Sequence, residues 1–419
     1  MNLPSSKIFV SLEEASSTVR KISSRFLKHR TENLPLEESC GRILARDVYA
    51  RFDVPPFHNS SMDGFALRSS DIVSIPARLK VAATIPAGSF SDIKLKKGEC
   101  ARIMTGSPMP SVADAVVMKE FTRLDGEYVL ILKKPQRGEN VRYRGEDIKK
   151  GALLVKKGVL LSPPLLGLLA AQGSGRVDVF RRPLIGFITT GNEVVMPGKP
   201  LATGKIYNVN RYTMSAALAD SGCEPLYLGH CTDSADSVVS VVKRYLPRLD
   251  ALITIGGVSM GEYDVVKDAL KKLGARFYFE KIWMKPGRPT GFAVLRRKPV
   301  FTLPGNVVSS LVAFDMVVRP AVSPAAISLP SFFTLKNVRA DFSFSKDDER
   351  RHILRVRISQ GSVGKFSARP SGEQGSGILS TLAYADGYVI IPEGKQVLRR
   401  GSPVNVLIPR SFLRYSFFL

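Results

Sequence analysis

Four turn-forming segments carry most of the chemistry this sequence can offer: Thr189-Thr190-Gly191-Asn192-Glu193, the run from Gly256 to Asp264, Lys285-Pro286-Gly287-Arg288-Pro289, and Pro304-Gly305-Asn306. Glycine lets a backbone approach a ligand closely, and a helix start presents free N–H groups to an anion. Lys281, Lys285 and Arg288 add fixed positive charge. Glu193 and Asp264 are suited to hold Mg²⁺ or to accept hydrogen bonds from a ring or a ribose. Singly, each segment is an ordinary turn. Together they describe a site for a phosphorylated or oxyanionic ligand. The chain has neither Gly-x-Gly-x-x-Gly nor Gly-x-x-x-x-Gly-Lys-Ser/Thr, so dinucleotide and P-loop chemistry do not fit.

The elements that must position these segments follow from hydrophobic spacing. Between residues 184 and 320, apolar runs at 184–190, 225–229, 251–255, 277–283, 292–295 and 300–303 read as strands. Helical patterns at 210–220, 234–245, 262–273 and 307–318 separate them, the last ended by Pro320. Such alternation implies βαβ units and a mainly parallel sheet, which binds ligands beyond the carboxyl ends of its strands. All four segments fall there.

Upstream, residues 11–30 open with a Ser-x-x-Glu capping box and read as a helix. Residues 77–83, 100–104, 115–121 and 128–133 read as short strands of a β-rich block, and 162–175 as a helix. Three stretches in and around that block (55–66, 102–110 and 140–148) are polar, turn-forming and without a fold-making pattern. Within them His58 reads as structural and Met62 as packing. The last ninety or so residues return to short strands. The expected architecture is α/β multidomain. Residues 1–52 plus 148–181 form a discontinuous helical/linker domain, 53–147 a β-rich domain, 182–325 a mainly parallel α/β domain and 326–419 a small C-terminal β-domain.

At 419 residues, 44% hydrophobic and 23% charged, the composition is that of folded globular domains. No apolar run reaches the ~18 residues of a membrane helix, and no signal core opens the chain, so the expected location is cytoplasmic. The four cysteines show no Cys-x-x-Cys spacing and read as reduced, mostly buried thiols. A formal net charge of +24 invites a nucleic-acid reading. The surplus is spread along the whole chain with no basic tail, which favours solvated surface and small anionic ligands.

Several motifs, in order, resemble the MoeA family of molybdopterin molybdenumtransferases, which includes the C-terminal domain of gephyrin. They are Asn59-Ser-Ser-Met-Asp-Gly-Phe-Ala66, Met104-Thr-Gly-Ser-Pro-Met-Pro110 with Ala113-Asp-Ala-Val-Val117, Arg144-Gly-Glu-Asp-Ile148, Thr190-Gly-Asn-Glu193, Gly256-Gly-Val-Ser-Met-Gly261, Met284-Lys-Pro-Gly-Arg-Pro289 and Leu303-Pro-Gly-Asn306. The resemblance runs from about residue 8 to the C-terminus. It implies that the α/β domain shares the fold of molybdopterin adenylyltransferases. It also implies insertion of molybdate into adenylylated molybdopterin with Mg²⁺-dependent release of AMP.

Carried over position by position, the resemblance implies catalytic roles for Asp63, Asp147, Glu193, Asp264, Lys281 and Lys285, with Asp264 and Glu193 as Mg²⁺ ligands. Substrate-binding roles fall to Thr105, Arg142, Asp233, Gly256, Gly257, Ser259, Arg288, Pro304, Gly305, Asn306, Ser309, Arg355 and Ser376. It further implies a homodimer whose β-rich domain faces the partner's sheet edge, and contact with a molybdopterin adenylyltransferase and cofactor-accepting apo-enzymes. Three positions depart from the family: Val307 stands for Pro, Arg288 for Lys and Ser61 for Ala. A tungstate-inserting paralogue, an adenylyltransferase-like protein and a receptor-binding scaffold on the same fold remain open as alternatives.

Overall fold

The computed structural model describes residues 7–27, 30–88, 93–257, 264–324, 330–361 and 365–409. It divides into two compact units, Met1–Glu32 with Gly158–Leu160 and Val179–Leu419, and Asn33–Lys157 with Leu161–Asp178.

In the first unit a seven-stranded sheet runs in the order Lys7–Val10, Arg276–Ile282, Gly291–Leu295, Lys298–Leu303, Ala251–Ile255, Leu184–Thr190, Glu224–Cys231. Only the strand Gly291–Leu295 is antiparallel to its two neighbours; every other pairing is parallel. The inner strand Ala251–Ile255 is buried at all five residues, as a strand covered by helices on both faces must be. The strand Lys7–Val10 escapes the sequence reading because four residues give no period to recognise. It adds a parallel edge beside Arg276–Ile282. The helix Leu12–Phe26 follows at once, capped by Ser11 Oγ, which accepts from the Glu14 N–H at 3.1 Å.

The expected end of the last α/β helix at Pro320 is corrected. The helix Val307–Ala313 passes into a π-helical segment, Phe314–Val318, and then a further helical turn, Arg319–Val322. Pro320 lies near the start of that turn, where its missing N–H costs little.

The C-terminal β-domain is a sheet that closes on itself. The strand Arg351–Gln360 pairs with both Phe366–Pro370 and Gly387–Ile391, and the ring is completed by Phe332–Ala340 and Pro403–Pro409. Met284–Lys285, from the α/β domain, adds to this sheet as a sixth strand, Met284 opposite Arg351 and Lys285 opposite His352. One core joins the two domains: Ile353, Leu382 and Tyr388 pack in the same cluster as Phe279, Met284 and Phe314.

The second unit holds a six-stranded sheet ordered Ala115–Met118, Gly64–Leu67, Glu99–Ile103, Ala77–Ile85, Tyr128–Ile131, Thr122–Asp125. Residues 55–66 therefore do contain fold-making sequence, since Gly64–Leu67 is a fully buried inner strand. Gly64 is required there, because a Cβ would sit 2.0 Å from the Val117 carbonyl oxygen. Met62 does not pack; it is exposed. His58 is structural, its Nδ1 accepting from the Arg144 N–H at 3.0 Å. The small strand Val141–Arg142 pairs with Asn59–Ser60. Cys100, Cys223 and Cys231 are buried and Cys40 is exposed, all as free thiols. Among the described residues no helix is long and apolar enough to cross a membrane.

Candidate functional site

A cavity of about 740 Å³ opens at the carboxyl ends of the central parallel strands. Its wall includes Gly191 and Glu193 after the first α/β strand, Asp233 after the second, Gly256 and Gly257 after the third, and Pro304, Gly305 and Asn306 after the last. Those are the loop residues the sequence singled out. Gly257 adopts φ +66°, and a Cβ on it would meet Val266 Cγ2 at 2.7 Å and Thr190 Oγ1 at 2.9 Å. The Thr190 hydroxyl is itself buried at this wall and has no partner among the described residues.

The loops are tied to one another. Asp233 Oδ2 accepts from the Asn192 N–H at 3.0 Å, and Asn192 Oδ1 accepts from the Asp233 N–H at 3.2 Å. His230 Nε2 lies 2.8 Å from the Gly191 carbonyl oxygen. Asp264 caps the helix Val265–Lys272, its Oδ1 accepting from the Lys267 N–H at 3.0 Å. Burial pushes its carboxyl above the usual aspartate range.

The helix Val209–Asp220 supplies residues the sequence reading missed. Asn208 caps it and donates through Nδ2 to Thr189 Oγ1 at 2.9 Å. Asn210 Nδ2 donates to the Gly305 carbonyl at 2.6 Å and holds the Pro304–Asn306 turn. Asn208-Val-Asn210 at a helix start was the available signal.

A second cavity of about 400 Å³ is lined by Lys285, Asp347, His352, Arg355 and Gln374. Arg355 is fully buried. The segments that wall the two cavities are shared: Pro286 and Gly375 line the second, Pro289 and Gly377 the first. Ser376 Oγ lies between them, 3.4 Å from Asn306 Nδ2.

Other expected residues lie elsewhere. Lys281 Nζ sits 5.5 Å from the centre of the Phe9 ring, and the Arg288 guanidinium 5.1 Å from Phe9 and 5.7 Å from Trp283. Neither lines either cavity. Ser309 is buried in the first turn of its helix. Ser259 lies outside the described residues. In the second unit, Asp63 Oδ1 accepts from both the N–H and the hydroxyl of Thr105 at 2.8 Å, which holds its carboxyl below the usual range. Arg142 and Asp147 are exposed.

Fold and site together define a multidomain protein whose α/β body carries a glycine-lined cleft at its sheet edge, beside a smaller pocket that holds Lys285 and Arg355. Residues 10–173 match the MoeA N-terminal region (domain I and II), 186–324 a probable molybdopterin binding domain and 337–408 the MoeA C-terminal region (domain IV). The chain is 35% identical over 400 residues to the molybdopterin molybdenumtransferase of Bacillus subtilis, covering 94% of this chain and 93% of that one. It is 33% identical over 387 residues to the enzyme of the same name from Nostoc, covering 90% and 88%. The crystal structure of a MoeA protein from Pyrococcus horikosii superposes with a TM-score of 0.83 at 34% identity, covering 96% of this chain and 99% of that one. The chain belongs to the MoeA family and is a transferase of molybdenum-cofactor biosynthesis.

Proposed function

We propose that this chain inserts molybdate into adenylylated molybdopterin, with release of AMP. The observation that carries the reading is the pairing of cavities. A glycine-lined cleft large enough for a nucleotide lies along the same two chain segments, 286–289 and 375–377, as a pocket holding Lys285 and the buried Arg355. The first suits a pterin nucleotide and its pyrophosphate, the second a tetrahedral oxyanion.

The donor set near the cleft fits Mg²⁺. Glu193 on the cleft wall and Asp264, next in the chain to the wall residue Val265, would offer the carboxylate oxygens, and burial disfavours the bare charge of Asp264, a penalty that a divalent cation would remove. When bound, Mg²⁺ would neutralise charge on the pyrophosphate being cleaved. The chain's own residues bind and orient. Asp233 fixes the Asn192 loop and with it Glu193, Asn210 fixes the Pro304–Asn306 turn, and Lys285 with Arg355 attracts the oxyanion. Histidines 58 and 230 hold loops.

Asp63, Thr105, Arg142 and Asp147 complete the site from the partner subunit of a homodimer, the arrangement the family resemblance implies. Lys281 and Arg288 flank the Lys285 loop in the chain and stack on Phe9, Arg288 also on Trp283, which suits a positioning role. The deciding experiment incubates the protein with adenylylated molybdopterin, Mg²⁺ and either molybdate or tungstate, scoring AMP release and reconstitution of an apo-enzyme. Oxyanion-dependent AMP release is expected. AMP release indifferent to either oxyanion would sink the reading.

A further inference from the structure

The pocket of Lys285 and Arg355 contains a group that does not belong in an oxyanion site: a carboxylate. Arg355 is fully buried. Its Nε and Nη2 reach Thr381 Oγ1 at 3.2 and 3.1 Å, and Nη2 also donates to the Gly375 carbonyl at 3.0 Å. Its Nη1 is buried and has no partner among the described residues. A buried guanidinium with an idle donor at a cavity wall is arranged for an anion. Lys285, on the same cavity, is already engaged. Its Nζ lies 3.1 and 3.5 Å from the two carboxylate oxygens of Asp347 and 3.7 Å from Asp348 Oδ2.

The two aspartates are held very differently. Asp348 is pinned: Oδ1 accepts from the Arg350 N–H at 2.8 Å and lies 3.0 Å from His352 Nε2, and Oδ2 accepts from Arg350 Nη2 at 2.6 Å. Asp347 has a side chain 77% exposed, and among the described residues Lys285 is the only other residue its carboxylate bonds. Releasing Asp348 breaks a network, whereas releasing Asp347 breaks one solvent-exposed ion pair.

We propose that Asp347 is an internal competitor for the oxyanion: its carboxylate neutralises Lys285 and must swing out before an anion can bind between Lys285 and Arg355. This rests on the reading of that pocket as the oxyanion site. The displaced group carries one negative charge, so a doubly charged tetrahedral oxyanion outcompetes it where chloride does not. Asp347 thereby sets both an affinity threshold and a filter against monovalent anions.

The test is calorimetric titration of molybdate, without nucleotide, into the wild type, Asp347→Asn, Lys285→Ala and the double variant. Asp347→Asn should tighten molybdate binding by about two- to five-fold, what an exposed ion pair is worth, and should make it more sensitive to chloride. In the Lys285→Ala background the same substitution should change nothing. Unchanged or weaker binding in Asp347→Asn overturns the proposal, as does tightening that persists without Lys285, which would mark a general field effect. Donor atoms of Asp347, Asp348 and His352 lie within 4.8 Å of one another. Mg²⁺ binding, titrated alone, that disappears in Asp347→Asn would overturn it in favour of a cation site. If Lys285→Ala binds molybdate as the wild type does, the pocket reading itself fails. If Lys285→Ala weakens binding but Asp347→Asn does not tighten it, only the competitor role fails.

Discussion

Truncating Lys285 to Ala removes the half-exposed cation of the second cavity and leaves the buried one, Arg355. A charge-assisted hydrogen bond to an oxyanion is worth about 1.5–3 kcal/mol. The molybdate requirement for AMP release should therefore rise by roughly tenfold or more, while binding of the pterin nucleotide in the other cleft falls much less. A titration of molybdate against AMP release reads the difference, and an unchanged requirement would confine this loop to a structural role. Asp264 makes a different prediction. Burial raises its pKa, so the folded chain binds that proton more tightly than the unfolded chain does. Its charge then costs stability above the folded pKa, and the cost disappears below the ordinary aspartate value of 3.8. Asp264→Asn keeps a capping oxygen. It should raise Tm at pH 7, lose that advantage as pH falls toward 4, and lower AMP release by at least on the order of tenfold. Thermal melts across pH check the sign. A variant that is less stable at pH 7 would show that the charge is already compensated.

Between elements, the most constrained junction is the one that seats the C-terminal sheet on the α/β body. Asp315, in the π-helical segment, accepts from Arg319 Nε at 2.9 Å and from the Tyr388 hydroxyl at 2.8 Å, and Arg319 Nη1 reaches Asp220 Oδ2 at 2.9 Å. Both Asp315 and Arg319 are buried. Asp315→Ala leaves a buried guanidinium short of one counterion and takes one bond from the Tyr388 hydroxyl, a loss of about 3–5 kcal/mol. Urea unfolding measures it, and a change below about 1 kcal/mol would mean that Asp220 alone neutralises Arg319. This junction was not legible in the sequence, because Asp220, Asp315 and Tyr388 lie far apart in the chain and share no motif. The sheet-edge loops were legible, since glycine and proline turns after apolar strands are local signals. Gly64–Leu67 was hidden by the turn-forming residues in front of it. Asp347 was hidden by its setting, Lys346-Asp-Asp-Glu-Arg-Arg351, which reads as a solvated charge run. Only the pairing of Lys285 with His352 brings it to the pocket.

For the whole molecule, the proposed sharing of the site between two subunits has a measurable consequence. If Asp63 serves the cleft of the partner while Asp264 serves the cleft of its own chain, the Asp63→Asn and Asp264→Asn variants are each inactive for a different reason. Mixing them in equal amounts under conditions where subunits exchange gives half heterodimers. In each heterodimer one cleft carries both substitutions and the other carries neither. About a quarter of the wild-type rate of AMP release should return in the mixture, although neither parent has activity. Both variants should remain folded, since Asp63 is exposed enough to lose its Thr105 bonds without opening a core and Asn still caps the helix at 264. Sedimentation of the wild type should show a dimer. No recovery on mixing, with subunit exchange confirmed by a mass-tagged chain, would place Asp63 and Asp264 in the same cleft of one subunit. A strictly monomeric preparation with full activity would remove the shared site altogether, leaving the residues of the α/β and C-terminal domains to account for the reaction.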